Sequence, residues 1–335
     1  LTTDTARAVA AFLYERDRDI LLAAELPMTE ESFTSFLGGR NGRVILHQPW
    51  QLNEQGDGWE APVEKGAQFT EVVSDNPDNS KDFHYRQPER QGRSDVRPLY
   101  HEMTFVSLQG QEEVKVSATG LLPKALRDVS KKENTWCRAE GYFAELQRLG
   151  KGEISVSEVI GPYVSSPLVG PYTKKSAAAR GIPFEPEKAA YAGKENPMGR
   201  RFEGIIRWAT PVFKGDRKIG YLTLALDHTH VMEFTDHLVP TEERYSPISD
   251  AGAGNYAFMW DHQSRNISHP RDYFITGYDP ETGDPAVPWL SEEMYRSDAA
   301  CAAAVKKFAP TYKYDELVAA YQVAKAKHYE TMVAW

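Results

Sequence analysis

Cysteine is scarce in these 335 residues: Cys137 and Cys301 are the only two. Two cysteines without metal spacing exclude a disulfide framework and a cysteine-rich metal site, while a single bridge between them stays open. Long apolar runs are absent too. Stretches such as Ala299 to Val305 and Tyr221 to Leu226 fall far short of the roughly 18 residues that a membrane span needs. Positive charge is outnumbered, with a formal net charge of -9, and no basic stripe with interleaved aromatics occurs. Nucleic acid and anionic lipid are therefore not expected partners. No glycine-rich phosphate loop, dinucleotide fingerprint or Gly-x-Ser-x-Gly elbow is found, so no cofactor is expected. The sequence opens on Leu1 without a charged start, apolar stretch and cleavage site, and is read as an excised or processed segment.

What is present is globular composition, 41% hydrophobic and 26% charged, enough for one large or two modest cores. Residues 2 to 26 read as one helix: Thr2, Thr3 and Asp4 offer capping oxygens, Val9, Leu13, Ile20 and Ala24 recur at near-helical spacing, and Pro27 ends it. Such a helix is about 35 Å long at 1.5 Å per residue, and either runs along an elongated body, pairs with a second copy or packs on one core. Residues 40 to 97 turn polar and predict loops and a short helix. His101 to Leu108 and Glu112 to Ala118, divided by Gln109-Gly-Gln111, predict a hairpin. Asn134 to Leu149 has helical spacing closed by Gly150, and Glu153 to Val159 alternates as a half-buried strand should. The punctuated stretch from Gly161 to Gly199 predicts a long functional or mobile insertion. A second hairpin is expected over 201–213 and 218–226, then a short helix to Leu238, a boundary linker over 240–254, a β-unit over 255–269, and helix over 291–335.

That order resembles the double Cache sensor domains of bacterial membrane receptors. Four stretches carry the resemblance: Tyr142 to Val159, which contains Gly-Lys-Gly-Glu-Ile-Ser-Val-Ser; Arg207-Trp-Ala-Thr-Pro-Val-Phe213; Ile219-Gly-Tyr-Leu-Thr-Leu-Ala-Leu-Asp227; and Asn255 to Pro270. The resemblance implies an α+β fold, a long N-terminal helix (1–27) followed by two PAS-like (Cache) modules with central antiparallel sheets. The membrane-distal module would span 28–245, and the membrane-proximal one 246–335 with C-terminal helices. It further implies a non-enzymatic extracytoplasmic sensor at the periplasmic or extracellular face of the bacterial inner membrane. A small ligand of the amino acid, organic acid or amine class would bind the distal module and signal to an output domain such as a histidine kinase. A homodimer through the N-terminal helix is implied, with membrane contact only through flanking segments. A free periplasmic solute-binding protein is the alternative.

A sensor pocket needs groups that pair with the ligand's charges inside apolar walls. Trp136 and Arg138 are the first candidates, with Arg138 suited to a carboxylate fork; they also read as a core tryptophan and a surface arginine. Ser155 and Ser157 share one face of their strand, which is either the pocket face or the water face. Tyr163, Glu203 and Arg207 complete the set, and Asp227 ends the strand on which the family carries a carboxylate. His228, His230 and His237 beside Asp227 do not predict a metal site, because residues two apart on a helix point apart. Asp261 and Ser264 beside His262 and His269 invite a hydrolase triad reading, which no Gly-x-Ser-x-Gly elbow or other nucleophile context supports. The acidic loop at Asp75 fails as a calcium loop because Pro77 and Arg86 occupy ligand positions.

Overall fold

The computed structural model describes residues 2–45, 50–60, 94–236, 257–261 and 265–286. The expected linker over 240–254, the acidic loop at Asp75, the helix over 291–335 and any Cys137 to Cys301 bridge lie outside these residues. So do His237, His262 and Ser264.

Helix α1 (Thr2–Ala24) forms as its spacing predicts. Its buried positions, Thr5, Arg16, Asp19, Ile20 and Ala23, fall on one stripe and carry two charges into the interior. Asp19 binds the Arg16 Nε at 3.0 Å and the Arg40 Nε at 2.8 Å, and accepts the Tyr100 hydroxyl at 2.6 Å. Helix α2 (Glu30–Gly38) is capped by Thr29, whose hydroxyl accepts the Ser32 N–H at 3.3 Å, and buries Phe33, Phe36 and Leu37.

Residues 40 to 97 differ from the expected loops and short helix. Among the described residues that stretch is extended: β1 (Asn41–Ile45), β2 (Gln51–Leu52), β3 (Trp59–Glu60) and β4 (Ser94–Pro98). β1 pairs antiparallel with β4 and β2 with β3. The β1–β4 ribbon is short-range in structure but not in sequence, so no local periodicity announces it.

The centre is an antiparallel sheet of β5 (Tyr100–Val106), β6 (Glu112–Ser117), β7 (Ser155–Val156), β8 (Ile205–Lys214) and β9 (Arg217–Asp227), in the order β6-β5-β9-β8-β7. Both expected hairpins, β5–β6 and β8–β9, are present. α3 (Tyr142–Leu146) packs on β7 and β8, α5 (Thr229–Asp236) follows β9 and meets α1 and β1, and α4 (Lys174–Arg180) packs through Ala177 in a separate cluster with Leu168, Tyr172 and Ala189, while β10 (Met259–Trp260) and β11 (Asn266–Ser268) form the hairpin of the expected later β-unit. This is an α+β fold with an N-terminal helix and antiparallel sheets. The segment 265–286 seats Tyr273 and Ile275 in the same core as Ile20 and Trp208.

Side chains alternate across the sheet and give it two unlike faces. One is apolar: Met103, Phe105, Trp208, Leu222, Leu224 and Leu226 pack against α1 and α2. Trp208 donates its indole N–H to Asp17 on α1 at 2.8 Å, tying helix to sheet. The other face carries Glu102, Thr104, Lys115, Arg207 and Thr223 around the small Ala209 and Ala225.

Two expected elements are shorter than their patterns. The helix over 134–149 breaks into tight turns at Lys132–Asn134 and Trp136–Arg138, with regular helix only in α3. The cause is at 137 and 138, where Cys137 and Arg138 take left-handed φ values of 50° and 53°. The strand over 153–159 ladders only at Ser155–Val156, because the Arg207 N–H is taken at 2.9 Å by the Ser157 hydroxyl rather than by a backbone carbonyl.

Candidate functional site

Glu102 and Thr104 on β5, Lys115 on β6, Arg207 on β8 and Thr223 on β9 meet on the polar face. Pairing places Arg207 beside Ala225, Ala225 beside Glu102, and Glu102 beside Ser117 in one row; Ala209, Thr223, Thr104 and Lys115 form the next. The segment 119–146 covers them and adds Glu140 and Tyr142.

Arg207 is the hub. Its Nε lies 2.5 Å and its Nη2 3.2 Å from the two oxygens of Glu140, a bidentate fork. Its Nη1 reaches Glu102 Oε1 at 2.9 Å and Thr223 at 3.3 Å, and its plane sits 4.9 Å from the Tyr142 ring centre. Burial opposes its charge, but Glu140, Tyr142 and Glu102 more than offset that and hold its pKa well above the arginine range. Burial first, then Glu140, pushes the Cys137 thiol up to about 12. Lys115 lies 2.5 Å from Glu112 and 3.8 Å from Glu102 Oε2. Glu102, Glu112, Glu140 and Arg207 are each at most 4% exposed. An ionic network this deep is costly to desolvate and weak evidence for stability alone.

Glu140 also accepts the Trp136 N–H at 3.0 Å, so the carboxylate that holds Arg207 also pins the strained turn. The turn is gripped from outside by Gly283, φ +80°, where a Cβ would stand 2.4 Å from the Arg138 carbonyl oxygen. Several buried polar atoms of the face have no hydrogen-bond partner among the described residues: Glu102 Oε2, Thr104 Oγ1, Ser117 Oγ and Trp136 Nε1.

Of the residues expected from sequence, Arg207 and Trp136 belong to this network. Asp227 stands beside it at the end of β9, opposite Ile205, buried with His101 Nε2 at 3.4 Å. Burial raises its pKa, but His101 and the Thr229 N–H outweigh that and bring it to about 2. Ser155 lies across from Ala209, but its hydroxyl is held by Glu145 at 2.9 Å; Ser157 serves backbone groups. Arg138 and Glu203 are exposed, and Tyr163 donates to the Tyr273 carbonyl at 3.3 Å, so these three stand outside the network. Sequence reasoning missed Glu102, Glu140, Lys115 and Thr104. A signal existed: Glu102 and Thr104 alternate within the apolar run 100–106, where an acid must be buried or misplaced.

Among the described residues no three histidine, cysteine, aspartate or glutamate side chains converge on a metal position, and no helix is long and apolar enough to cross a membrane. His228 and His230 diverge, their Nε2 atoms donating to the Ile267 carbonyl at 2.5 Å and the Pro98 carbonyl at 3.0 Å.

No family model and no curated protein matches the chain. Among solved structures it is similar to a domain of a protein described as a sensory box/GGDEF family member from Vibrio parahaemolyticus, at 18% identity, 53% coverage of this chain, 50% of that chain and a TM-score of 0.30. It is similar at the same identity, coverage of this chain and TM-score to the extracellular domain of a protein described as the histidine kinase vpHK1S-Z8, covering 47% of it. The chain thus spans about half the length of each.

Proposed function

We propose that this chain is a non-catalytic sensor domain of the double Cache type, in which a small molecule binds the polar face of the five-stranded sheet. Face and helix are joined through neighbouring residues of one strand. Arg207 points into the ionic network, and the next residue, Trp208, points the other way and holds Asp17 of α1. This juxtaposition carries the reading: a ligand that redistributes the bonds of Arg207 moves β8, and β8 is hydrogen-bonded to the long helix. Signalling is then a population shift between two placements of α1, no larger than the ligand's differential affinity for them. In the parent protein, α1 would lead to the membrane, with a homodimer formed along α1, the sensor outside the inner membrane and an output domain such as a histidine kinase within.

The test is a thermal-shift screen of the purified chain against amino acids, organic acids and amines, followed by hydrogen exchange on α1. A ligand at about 100 times its dissociation constant adds roughly 2.7 kcal/mol, enough to move the midpoint by several degrees. A hit that also alters exchange in the turns of α1 around Asp17 supports the reading. Silence across all three classes removes it, and a hit that leaves α1 unchanged removes the signalling route.

A further inference from the structure

The hydrogen-bond ledger of the polar face selects among ligand classes, an inference that rests on the sensor reading above. Both buried cations are already occupied by protein. Arg207 divides its donors among Glu140, Glu102 and Thr223. Lys115 holds Glu112 at 2.5 Å and faces the carbonyls of Pro123 at 3.5 Å and Ala125 at 3.4 Å. Four of the five guanidinium N–H groups and all three ammonium N–H groups are thus engaged, which leaves a single Nη2 N–H of Arg207 for an incoming carboxylate and no fork.

The acceptors are not exhausted in the same way. Glu102 is 0% exposed; its Oε1 takes Arg207, but its Oε2 has no hydrogen bond, the nearest cation being Lys115 at 3.8 Å. Thr104, also 0% exposed and on the same face of the same strand two residues on, has an unpartnered hydroxyl, and so does Ser117, directly across from Glu102 on β6. Glu102, Glu112 and Glu140 stand against Arg207 and Lys115. A further cation, Arg127, lies 4.0 Å from Glu112 at the rim, two rows from Glu102. At the Glu102 end negative charge and acceptor capacity are therefore in excess. A buried acceptor left without a donor costs about 1–3 kcal/mol, more when it is charged, so a ligand that supplies donors there gains what the protein leaves unmet. The floor beside it is Ala225, a small residue between Arg207 and Glu102.

We infer that the site takes a small protonated amine lacking a carboxylate, its ammonium donating to Glu102 Oε2 and to the hydroxyls of Thr104 and Ser117. Three donors of an ammonium match three acceptors that neighbour one another on the sheet. The zwitterion of the same amine is disfavoured, because its carboxylate meets at most one remaining Arg207 N–H and a bidentate grip would have to take Arg207 from Glu140 or Lys115 from Glu112.

The experiment uses matched triads that share a side chain: propylamine, propionate and alanine; tyramine, 4-hydroxyphenylacetate and tyrosine. Each is titrated calorimetrically into the chain. The expected result is binding of the amine member in preference to its partners by at least tenfold, weakened about 10- to 100-fold in Glu102→Gln, as for loss of a hydrogen bond to a charged group. Thr104→Val, which keeps the side-chain shape, is expected to lose several-fold and covers the case in which Glu102→Gln does not fold. A preference for the carboxylate or the zwitterion overturns the inference while leaving the sensor reading in place. Amine binding that neither substitution alters overturns the assignment to this face. No binding by any member of either triad, together with silence in the wider screen, removes both.

Discussion

Replacing Arg207 by methionine tests the network at its hub. The change keeps the buried stem and removes the guanidinium, leaving Glu140 and Glu102, 4% and 0% exposed, without the cation that lies 2.5 and 2.9 Å from them. Glu102 retains a cation only at 3.8 Å, through Lys115, and Glu140 retains only the Trp136 N–H. Breaking one side of a buried ion pair costs about 3–5 kcal/mol, mostly from the charge left behind. At about 2–4 °C per kcal/mol for a body of this size, the midpoint is expected to fall by roughly 6–20 °C. The double variant Arg207→Met, Glu140→Leu removes both charges, and replacing such a pair by apolar groups is close to neutral, so it is expected to recover at least half of the loss. Urea unfolding followed by tryptophan fluorescence and circular dichroism measures all three proteins. An Arg207→Met variant within about 1 kcal/mol of the parent would show that these charges are not desolvated as a unit, and the reasoning about the site would go with it. Glu102, Thr104 and Ser117 all remain in the double variant, so it is expected to keep its affinity for the amine; a stable double variant that binds none would move the site from Glu102 to the Arg207–Glu140 pair.

Three further outcomes are open to measurement. Burial and the neighbouring Asp236 lift the Asp272 pKa to about 7 against the pull of Arg201, while burial lowers that of His228 to about 4. The first makes the fold more stable as pH falls from 7 toward 4, because the folded state binds the proton earlier; the second makes it less stable as pH falls from 6.5 to 4, because only the unfolded state binds it. The two oppose each other in the parent, so Asp272→Asn is expected to leave a stability that falls between pH 7 and 4 and His228→Gln one that rises, read from denaturation midpoints at each pH; equal slopes in both variants would contradict the assignment. Trp208→Phe removes the hydrogen bond to Asp17 and is expected to cost about 1.5–3 kcal/mol and to raise hydrogen exchange along α1; unchanged exchange would mean that packing alone holds the helix. Gly283→Ala, at φ +80° and against the Arg138 carbonyl, is expected to cost 2 kcal/mol or more by urea unfolding, and a cost under about 0.5 kcal/mol would refute the close approach.

The hairpins β5–β6 and β8–β9 and the helix α1 were legible because each is local: alternation or 3.6-residue spacing lies within the element itself. The β1–β4 ribbon was not, since its partners are some fifty residues apart and neither carries a strong pattern. The break at Cys137 and Arg138 was hidden for another reason. Neither residue favours left-handed backbone; the turn exists because Glu140 holds both Arg207 and the Trp136 N–H, contacts that sequence order does not display. At the site, Arg207 could be singled out as a charge inside an apolar run, yet the same test applied to Glu102 would have named its partner. Arg138 was attractive only for its chemistry, and its exposure is decided by the strained turn.

The grip of Gly283 on the turn at 137–138 makes these distant positions hereditary partners. A relative that replaces Gly283 gains a Cβ where the Arg138 carbonyl now stands, and must straighten the turn, shorten the stretch 279–284 or lose the fold. A relative that straightens the turn no longer needs the glycine, but it also loses the geometry by which Glu140 reaches Arg207. Across descendants of a common ancestor, residue 283, the length of its turn and the acid at 140 should thus be inherited or lost together, so a glycine nearly 150 residues away becomes a marker of whether the polar face survives.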